Sequence, residues 1–316
     1  MTDNECKSNR GVFDAVVTGN RQVGERFCRL GLEFEGAGTA AFAEAKPGQF
    51  AELNLIDSAV PLKDRIPEHL RDGAGRQILL RRPFSFCDIS VKEEKCGVEI
   101  LYGIVGPASL RMTTLSREDT VSVMGPLGNG FWVPEDTKKA ILVVGGMGAP
   151  PILHLAKVLT KDYAGIDVSA FAGAKTVDEL PYERRLDKLS QGLGFSLGEF
   201  GKYGITSKIA TDDGTAGYHG PVTDCLAEWL RENDVGGEGT VIYSCGPEAM
   251  LARVTETAKE KNIECQVSME RLMGCGIGVC QSCVVECRVA GSNETIGKLC
   301  CKDGPVFDGR EVVFNI

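Results

Sequence analysis

The rhythm of apolar positions changes twice along this chain and divides it into three stretches. Between residues 11 and 135, short runs mixing β-branched and apolar residues occur at 11–17, 27–34, 50–55, 77–80, 97–105 and 120–124, with Gly, Asp and Pro between them. Short apolar runs set off by turn residues predict strands of a small antiparallel barrel or sandwich. Residues 58–75 interrupt the series. They are polar, contain Pro61, Pro67, Gly73 and Gly75, and read as a long loop inserted between strands.

From residue 136 to 263 the pattern turns to strands alternating with helices. Residues 140–144 form a continuous apolar run, followed by Gly145-Gly146-Met147-Gly148-Ala149-Pro150-Pro151 and a helical stretch to Thr160. Strands at 167–171, 205–211 and 240–244 then alternate with helices at 180–190, 221–232 and 247–261, and one more strand of this pattern, at 264–268, leads into the last stretch. Such alternation implies a parallel sheet with crossover connections. The stretch 264–316 is different again, with Gly and Cys crowded together, a polar loop at 291–297 and Gly304-Pro305. So small a piece cannot bury a large core, and a metal centre is expected to hold it together. The fold class is therefore α/β plus all-β, in two domains and an appendage, which suits a length of 316 residues.

Composition narrows the function. Hydrophobic residues at 43% and charged residues at 25% are ordinary for a soluble globular chain and argue against large-scale disorder. A net charge of −9 excludes a broad nucleic-acid surface, which needs clustered Lys and Arg. Dinucleotide phosphates remain within reach, because backbone N–H groups and a single Arg suffice for them. No apolar run has the length of a membrane span. Residues 1–10 are polar and include Asp3 and Glu5, unlike a signal peptide, so a cytoplasmic location is expected.

In that compartment thirteen cysteines need a reason other than disulfides. Eight are scattered, at Cys6, Cys28, Cys87, Cys96, Cys225, Cys245, Cys265 and Cys287, and each reads as a small buried hydrophobe. The other five crowd into 275–301. Cys275, Cys280 and Cys283 stand at C-x4-C-x2-C spacing, the plant-type [2Fe–2S] arrangement, with Cys300 and Cys301 following after a loop. Three close cysteines wrap one side of a cluster and a distant fourth closes the other. Gly274, Gly276 and Gly278 supply the tight turns between them. Structural zinc is the alternative, but a zinc ribbon shows two C-x2-C knuckles and only Cys280/Cys283 makes one. By spacing alone either Cys300 or Cys301 serves as the fourth ligand.

Two loops point to a nicotinamide dinucleotide. Gly145, Gly146 and Gly148 sit where a strand gives way to a helix, a place where backbone amides approach a pyrophosphate, although the spacing departs from G-x-G-x-x-G. Ser244-Cys245-Gly246-Pro247 ends a later strand of the same sheet. Ligands of open α/β sheets bind outside the carboxyl ends of strands, so both loops are expected to face one crevice. Asp212 and Asp213 after another strand would repel a 2′-phosphate, which favours NAD over NADP. A third carrier follows from electron counting. NAD exchanges hydride, a [2Fe–2S] cluster exchanges single electrons, and a flavin does both. Arg82-Pro83-Phe84-Ser85 offers an Arg to a diphosphate, and Gly106-Pro107-Ala108-Ser109 opens a short helix beside it.

Taken in order, Arg82–Ser85, the run Gly125-Pro126-Leu127-Gly128-Asn129-Gly130-Phe131, the two loops above, residues 270–283 and Cys301-Lys302-Asp303-Gly304-Pro305-Val306-Phe307 resemble a known family. They are similar to the electron-transfer subunits of NAD-dependent dihydroorotate dehydrogenase, within the ferredoxin reductase superfamily. The resemblance implies an antiparallel β-barrel FAD domain over 11–135, a parallel α/β NAD domain over 136–263 and a small C-terminal [2Fe–2S] segment over 264–316. It implies flavin contacts at Arg82, Pro83, Phe84 and Ser85, at Leu101, Tyr102 and Gly103, and at Ala108 and Ser109. Nicotinamide contacts fall on Gly145, Gly146, Gly148, Cys245, Gly246 and Pro247. The cluster ligands become Cys275, Cys280, Cys283 and Cys301.

Gly103 stands where the family has Arg, and Ala108-Ser109 where it has Gly-Thr. The implied partner is an FMN-containing catalytic subunit that oxidises dihydroorotate, in a heterotetramer of two plus two chains. No catalytic residue for that oxidation is expected here, since the chain lacks the length for an eight-fold barrel. Subunits of sulfhydrogenases and of NADH-dependent ferredoxin:NADP oxidoreductases share the architecture and are the alternative.

Overall fold

The computed structural model describes residues 10–182, 184–189, 192–292 and 294–315, so Cys6 lies outside the described residues. The first half comprises β1 (Gly11–Val23), β2 (Phe27–Glu35), α1 (Ala37–Ala43), β3 (Phe50–Leu53), β4 (Arg82–Ser85), β5 (Asp88–Lys92), β6 (Lys95–Gly103), α2 (Pro107–Met112) and β7 (Thr120–Leu127). The strands form one antiparallel sheet in the order β4-β3-β7-β1-β2-β6-β5. Alternation along β1 sends Ala15 and Val17 inward to full burial while their neighbours face out, which fixes the register. The sheet curls until its ends meet: Phe84 of β4 sits edge-on to Tyr102 of β6 at 6.4 Å, and the Cys87 N–H donates to the Glu99 carbonyl at 2.8 Å. Helix α1, absent from the sequence reading, plugs the interior with Phe42, whose ring stacks on Phe34 at 4.1 Å.

One expectation here needs correction. Residues 77–80 are not a strand; Leu79 and Leu80 are exposed, and the strand lies just beyond, in Arg82–Ser85 itself. Pro83 is tolerated there because β4 is the sheet's edge, where a missing N–H breaks no ladder. The 58–75 loop carries two short 3-10 turns, Lys63–Arg65 and Glu68–Leu70. It is tied down rather than loose. The buried Arg111 of α2 donates to the carbonyls of Ile56 (3.4 Å), Ser58 (3.3 Å) and Arg76 (3.0 Å), clamping both feet, while Ile66 and Ala74 pack on Leu110.

The second half holds β8 (Lys139–Gly145), α3 (Ala149–Asp162), β9 (Asp167–Ala174), β10 (Arg184–Leu189), β11 (Gly192–Leu197), α4 (Gly198–Gly201), β12 (Thr206–Thr211), β13 (Tyr218–His219), α5 (Val222–Glu232), β14 (Thr240–Cys245), α6 (Glu248–Glu260) and β15 (Glu264–Ser268). Here the helix expected at 180–190 is contradicted: Arg184–Leu189 is a strand, paired antiparallel with β11 at six register positions. The next six-residue strand supplies ladder partners that local helical spacing cannot match, so tertiary pairing overrides it. The other expected strands and helices are present, within two residues at each end except that β9 runs three residues further, while the pattern does not foresee β11, α4 and β13.

The cysteine-bearing tail adds the hairpin β16 (Val284–Arg288) and β17 (Thr295–Leu299), then β18 (Val306–Asp308). The stretch 264–316 contributes β15 and β18 to the large sheet, whose order is β13-β12-β9-β8-β14-β15-β18, with β18 antiparallel to β15. Asn129, just after β7, stitches this tail to the barrel. Its side chain donates to the carbonyls of Asp303 (3.0 Å) and Val306 (2.8 Å) and accepts from the Val306 N–H (2.9 Å). The runs 125–131 and 301–307, far apart in sequence, thus meet in space. Gly128 is required there, since a Cβ on it would stand 2.6 Å from Pro305.

Candidate functional site

Parallel strands β12-β9-β8-β14-β15 wind outward in both directions from β8, so the order reverses between β8 and β14. A crevice opens at such a switch point because the two connections leave toward opposite faces. The Gly145 loop ends β8 and the Cys245 loop ends β14, and they interlock. A Cβ on Gly148 would run into the Cys245 carbonyl, and one on Gly145 would stand 2.6 Å from Pro247 and 2.7 Å from the Met250 sulfur. Gly146 is different: its φ is +47 and a Cβ there would meet open space. Gly145 and Gly148 therefore serve close packing, whereas Gly146 turns its bare backbone to the crevice. Pro150 and Pro151 follow in the first turn of α3, where a missing N–H breaks no helix bond.

The crevice is a cleft of about 1310 Å³ between the two halves. Gly145, Gly146, Lys175, Asp212, Pro247 and Arg253 line one wall, and Arg26, Phe27, Gly103 and Val105 the other. Pro67 and His69 of the tied-down 58–75 loop add a third side, which the sequence did not reveal. Of the two acidic residues, Asp212 lines the cleft. Asp213 is occupied locally, accepting from the Thr215 hydroxyl (2.6 Å) and N–H (3.0 Å). Burial pushes the Cys245 thiol up to about 12, so it stays uncharged beneath the cleft wall rather than lining it.

Of the sequence-predicted flavin residues, only Gly103 lines this cleft. All four residues of β4 are half-buried, one per position along an edge strand, which leaves a face for a planar ligand. Leu101 points into the core of the second half and Tyr102 into the barrel, its hydroxyl donating to Asn20 at 3.1 Å. Gly103 reaches the cleft, where a Cβ on it would lie 3.6 Å from Met147 of the nucleotide loop. Barrel and sheet thus meet beside the predicted flavin and nicotinamide positions. Ser109 is buried and its hydroxyl is already engaged, accepting from the N–H groups of Val105 (2.9 Å) and Gly106 (3.1 Å). It caps its own turn. Ala108 lies in the same first turn of α2.

The cysteine loop gathers its sulfurs in two pairs. The Cys280 N–H donates to the Cys275 sulfur at 3.3 Å, and the Cys301 N–H to the Cys283 sulfur at 3.4 Å. Gly276 and Gly278 take φ of +67 and +86, the left-handed turns that bring the chain around. Cys300 faces away, donating to the Met269 carbonyl at 3.3 Å within the core. Among the described residues no group of three or more His, Cys, Asp or Glu side chains is placed to hold one metal ion. Paired thiols suit two irons better than one tetrahedral zinc. The pairs differ electrically. Hydrogen bonding from Ser282 and Cys275 lowers the exposed Cys280 thiol to about 6, while burial, then Cys283, pushes Cys301 up to about 12. In metal-free protein, iodoacetamide should label Cys280 first, at a rate rising with pH through about 6 and level above it, as its thiolate fills. Peptide mass spectrometry reads the order, and equal labelling of Cys301 would contradict it.

With that geometry in view, residues 270–313 match the family model of the iron-sulfur cluster binding domain of dihydroorotate dehydrogenase B. Over 301 residues the chain is 37% identical to the dihydroorotate dehydrogenase B (NAD(+)) electron transfer subunit of Geobacillus kaustophilus, covering 94% of this chain and 97% of that protein. The chain belongs to this family of electron transfer subunits. The electron transfer subunit of Listeria welshimeri is 38% identical over 237 residues, covering 74% and 82% of the two chains. Among solved structures, one reporting on flavin-based electron bifurcation in the NADH-dependent reduced ferredoxin-NADP oxidoreductase superposes at a TM-score of 0.68 with 25% identity, over 95% of this chain and 90% of that one. The ferredoxin NADP+ reductase of Neisseria gonorrhoeae shares the fold, at a TM-score of 0.54 and 15% identity over 79% and 91% of the chains. The barrel, the sheet and the cysteine tail of this electron transfer subunit are thus one ferredoxin-reductase-like architecture. No helix among the described residues is long and apolar enough to cross a membrane.

Proposed function

We propose that this chain is the electron-transfer subunit of a dihydroorotate dehydrogenase. It carries electrons from the FMN of a catalytic partner through a [2Fe–2S] cluster and FAD to NAD+, in support of pyrimidine biosynthesis. The observation that carries this reading is the layout of one continuous unit: paired thiols on a loop packed against Glu52 of β3, the strand that pairs with β4, and a glycine-lined cleft reaching the same barrel at Gly103. Cys275, Cys280, Cys283 and Cys301 would hold the cluster. Arg82–Ser85, the backbone of Leu101–Gly103 and the turn at Ala108-Ser109 would hold FAD. Gly146, with Gly145, Gly148, Cys245, Gly246 and Pro247 shaping its loop, would receive NAD. Bound there, the flavin supplies the exchange between hydride and single electrons. The protein's own part is to orient the carriers and to present Asp212, which disfavours a 2′-phosphate.

Leu272, Ile277 and Val279 are 92%, 52% and 74% exposed on the cysteine loop, an apolar face suited to the catalytic partner. Two copies of each chain would make the assembly, in the cytoplasm. The chain purified alone and given dihydroorotate should keep its flavin oxidised, while NADH bleaches it. Bleaching by dihydroorotate without a partner would overturn the division of labour. The likeness to the NADH-dependent reduced ferredoxin-NADP oxidoreductase structure favours a second reading, in which the same carriers serve a ferredoxin-linked partner. The protein that co-purifies from the native host separates the two.

A further inference from the structure

Glu52, in the short strand β3, is an anomaly: a carboxyl only 1% exposed, whose Oε1 accepts no hydrogen bond among the described residues. A buried polar group left without a partner costs about 1–3 kcal/mol, so an apolar residue would fill this position more stably. Its neighbours are informative. Along the ladders Glu52 lies opposite Pro83 of the flavin strand on one side and Met124 of β7 on the other. Its carboxyl presses against the cysteine loop, where a Cβ on Gly276 would stand 2.6 Å from both Cδ and Oε1. Burial holds the carboxyl's pKa above its ordinary value; Arg81 and Arg82 offset this only in part, and Cys280 adds to it. Neither arginine is spent on Glu52 itself. Arg81 donates to the Ser122 carbonyl (2.8 Å) and hydroxyl (3.0 Å), and Arg82 to the Arg81 carbonyl at 3.5 Å. They support the negative charge without neutralising it by contact.

We propose that Glu52 is a positioning residue for electron transfer, whose carboxylate beside the cysteine loop holds the reduction potential of the cluster down. The inference rests on reading that loop as a [2Fe–2S] site. Reduction adds a negative charge to the cluster, and a fixed negative charge close by in a poorly screened interior opposes that addition. A lower cluster potential favours release of the electron toward the flavin. Net charge around a cluster is one of the levers that set its potential.

The test is a potentiometric titration of the anaerobically purified assembly, followed by electron paramagnetic resonance of the reduced cluster. E52Q keeps the shape and loses the charge. It is expected to move the midpoint to more positive potential, by about tenfold in the one-electron equilibrium, which is ~59 mV. E52D keeps the charge and should titrate close to the wild type. An intact cluster in E52Q with an unchanged midpoint overturns the proposal, as does an E52D shift equal to that of E52Q. Loss of the cluster in both variants makes Glu52 a strut under Gly276 and also overturns it. A wild-type protein with no cluster signal would instead sink the underlying reading of the loop.

Discussion

Cys283→Ser is expected to retain NADH-driven reduction of its flavin while delivery of electrons to the catalytic partner falls by more than about a hundredfold. The figure is a lower bound, since changes one shell outside a metal site already cost 10–100-fold and this one removes a ligand. Cys283 is 1% exposed, and its sulfur accepts the Cys301 N–H at 3.4 Å, so a serine oxygen there would be shorter, harder and protonated. The hydride cleft is bounded by β8, β14 and the 58–75 loop and touches none of these atoms. Cys301→Ser should behave like Cys283→Ser. Cys300→Ser should keep the cluster and lose only about 1 kcal/mol of stability, because its thiol faces the Met269 carbonyl. Iron content and the resonance signal of the reduced protein read all three variants. A cluster lost in Cys300→Ser and kept in Cys301→Ser would exchange the two roles.

Gly148→Ala should disable the nicotinamide cleft and spare the cluster. The added methyl would run into the Cys245 carbonyl, forcing apart the two loops that shape the cleft. Overpacking of this kind costs about 1–3 kcal/mol, and even the middle of that range lowers affinity for NADH roughly tenfold or more if it falls on the bound form. Gly146→Ala makes the contrast. Its Cβ meets open space, so the cost is confined to holding an alanine at a φ of +47, about 1 kcal/mol. Equilibrium titration with NADH and a thermal melt on each variant separate these effects. Normal binding by Gly148→Ala would mean that the two loops do not depend on each other.

The sequence was legible where one local rule acts alone. Strands followed by glycine and then helix marked β8 and α3, and the cysteine spacing marked the loop that gathers four of the five clustered sulfurs. It was illegible where distant partners decide. Arg184–Leu189 carries no local mark that a pairing strand follows, and in Arg82–Ser85 Pro83 argues against a central strand while nothing local marks the edge pairing with β3. The cleft's third wall depends on Arg111 reaching three carbonyls spread over residues 56–76, a contact that no spacing encodes. Glu52 is the hardest case, since a lone glutamate in a short apolar strand reads from sequence as an outward-facing residue.

Asn129 hangs between barrel and sheet and grips the chain just beyond the last cysteine, by three hydrogen bonds of 3.0 Å or less. The barrel and the chain that carries the last cysteine are thereby fastened to each other at this point. The gap an electron must cross is then a built-in dimension, the same in every cycle and indifferent to any breathing of the nicotinamide cleft.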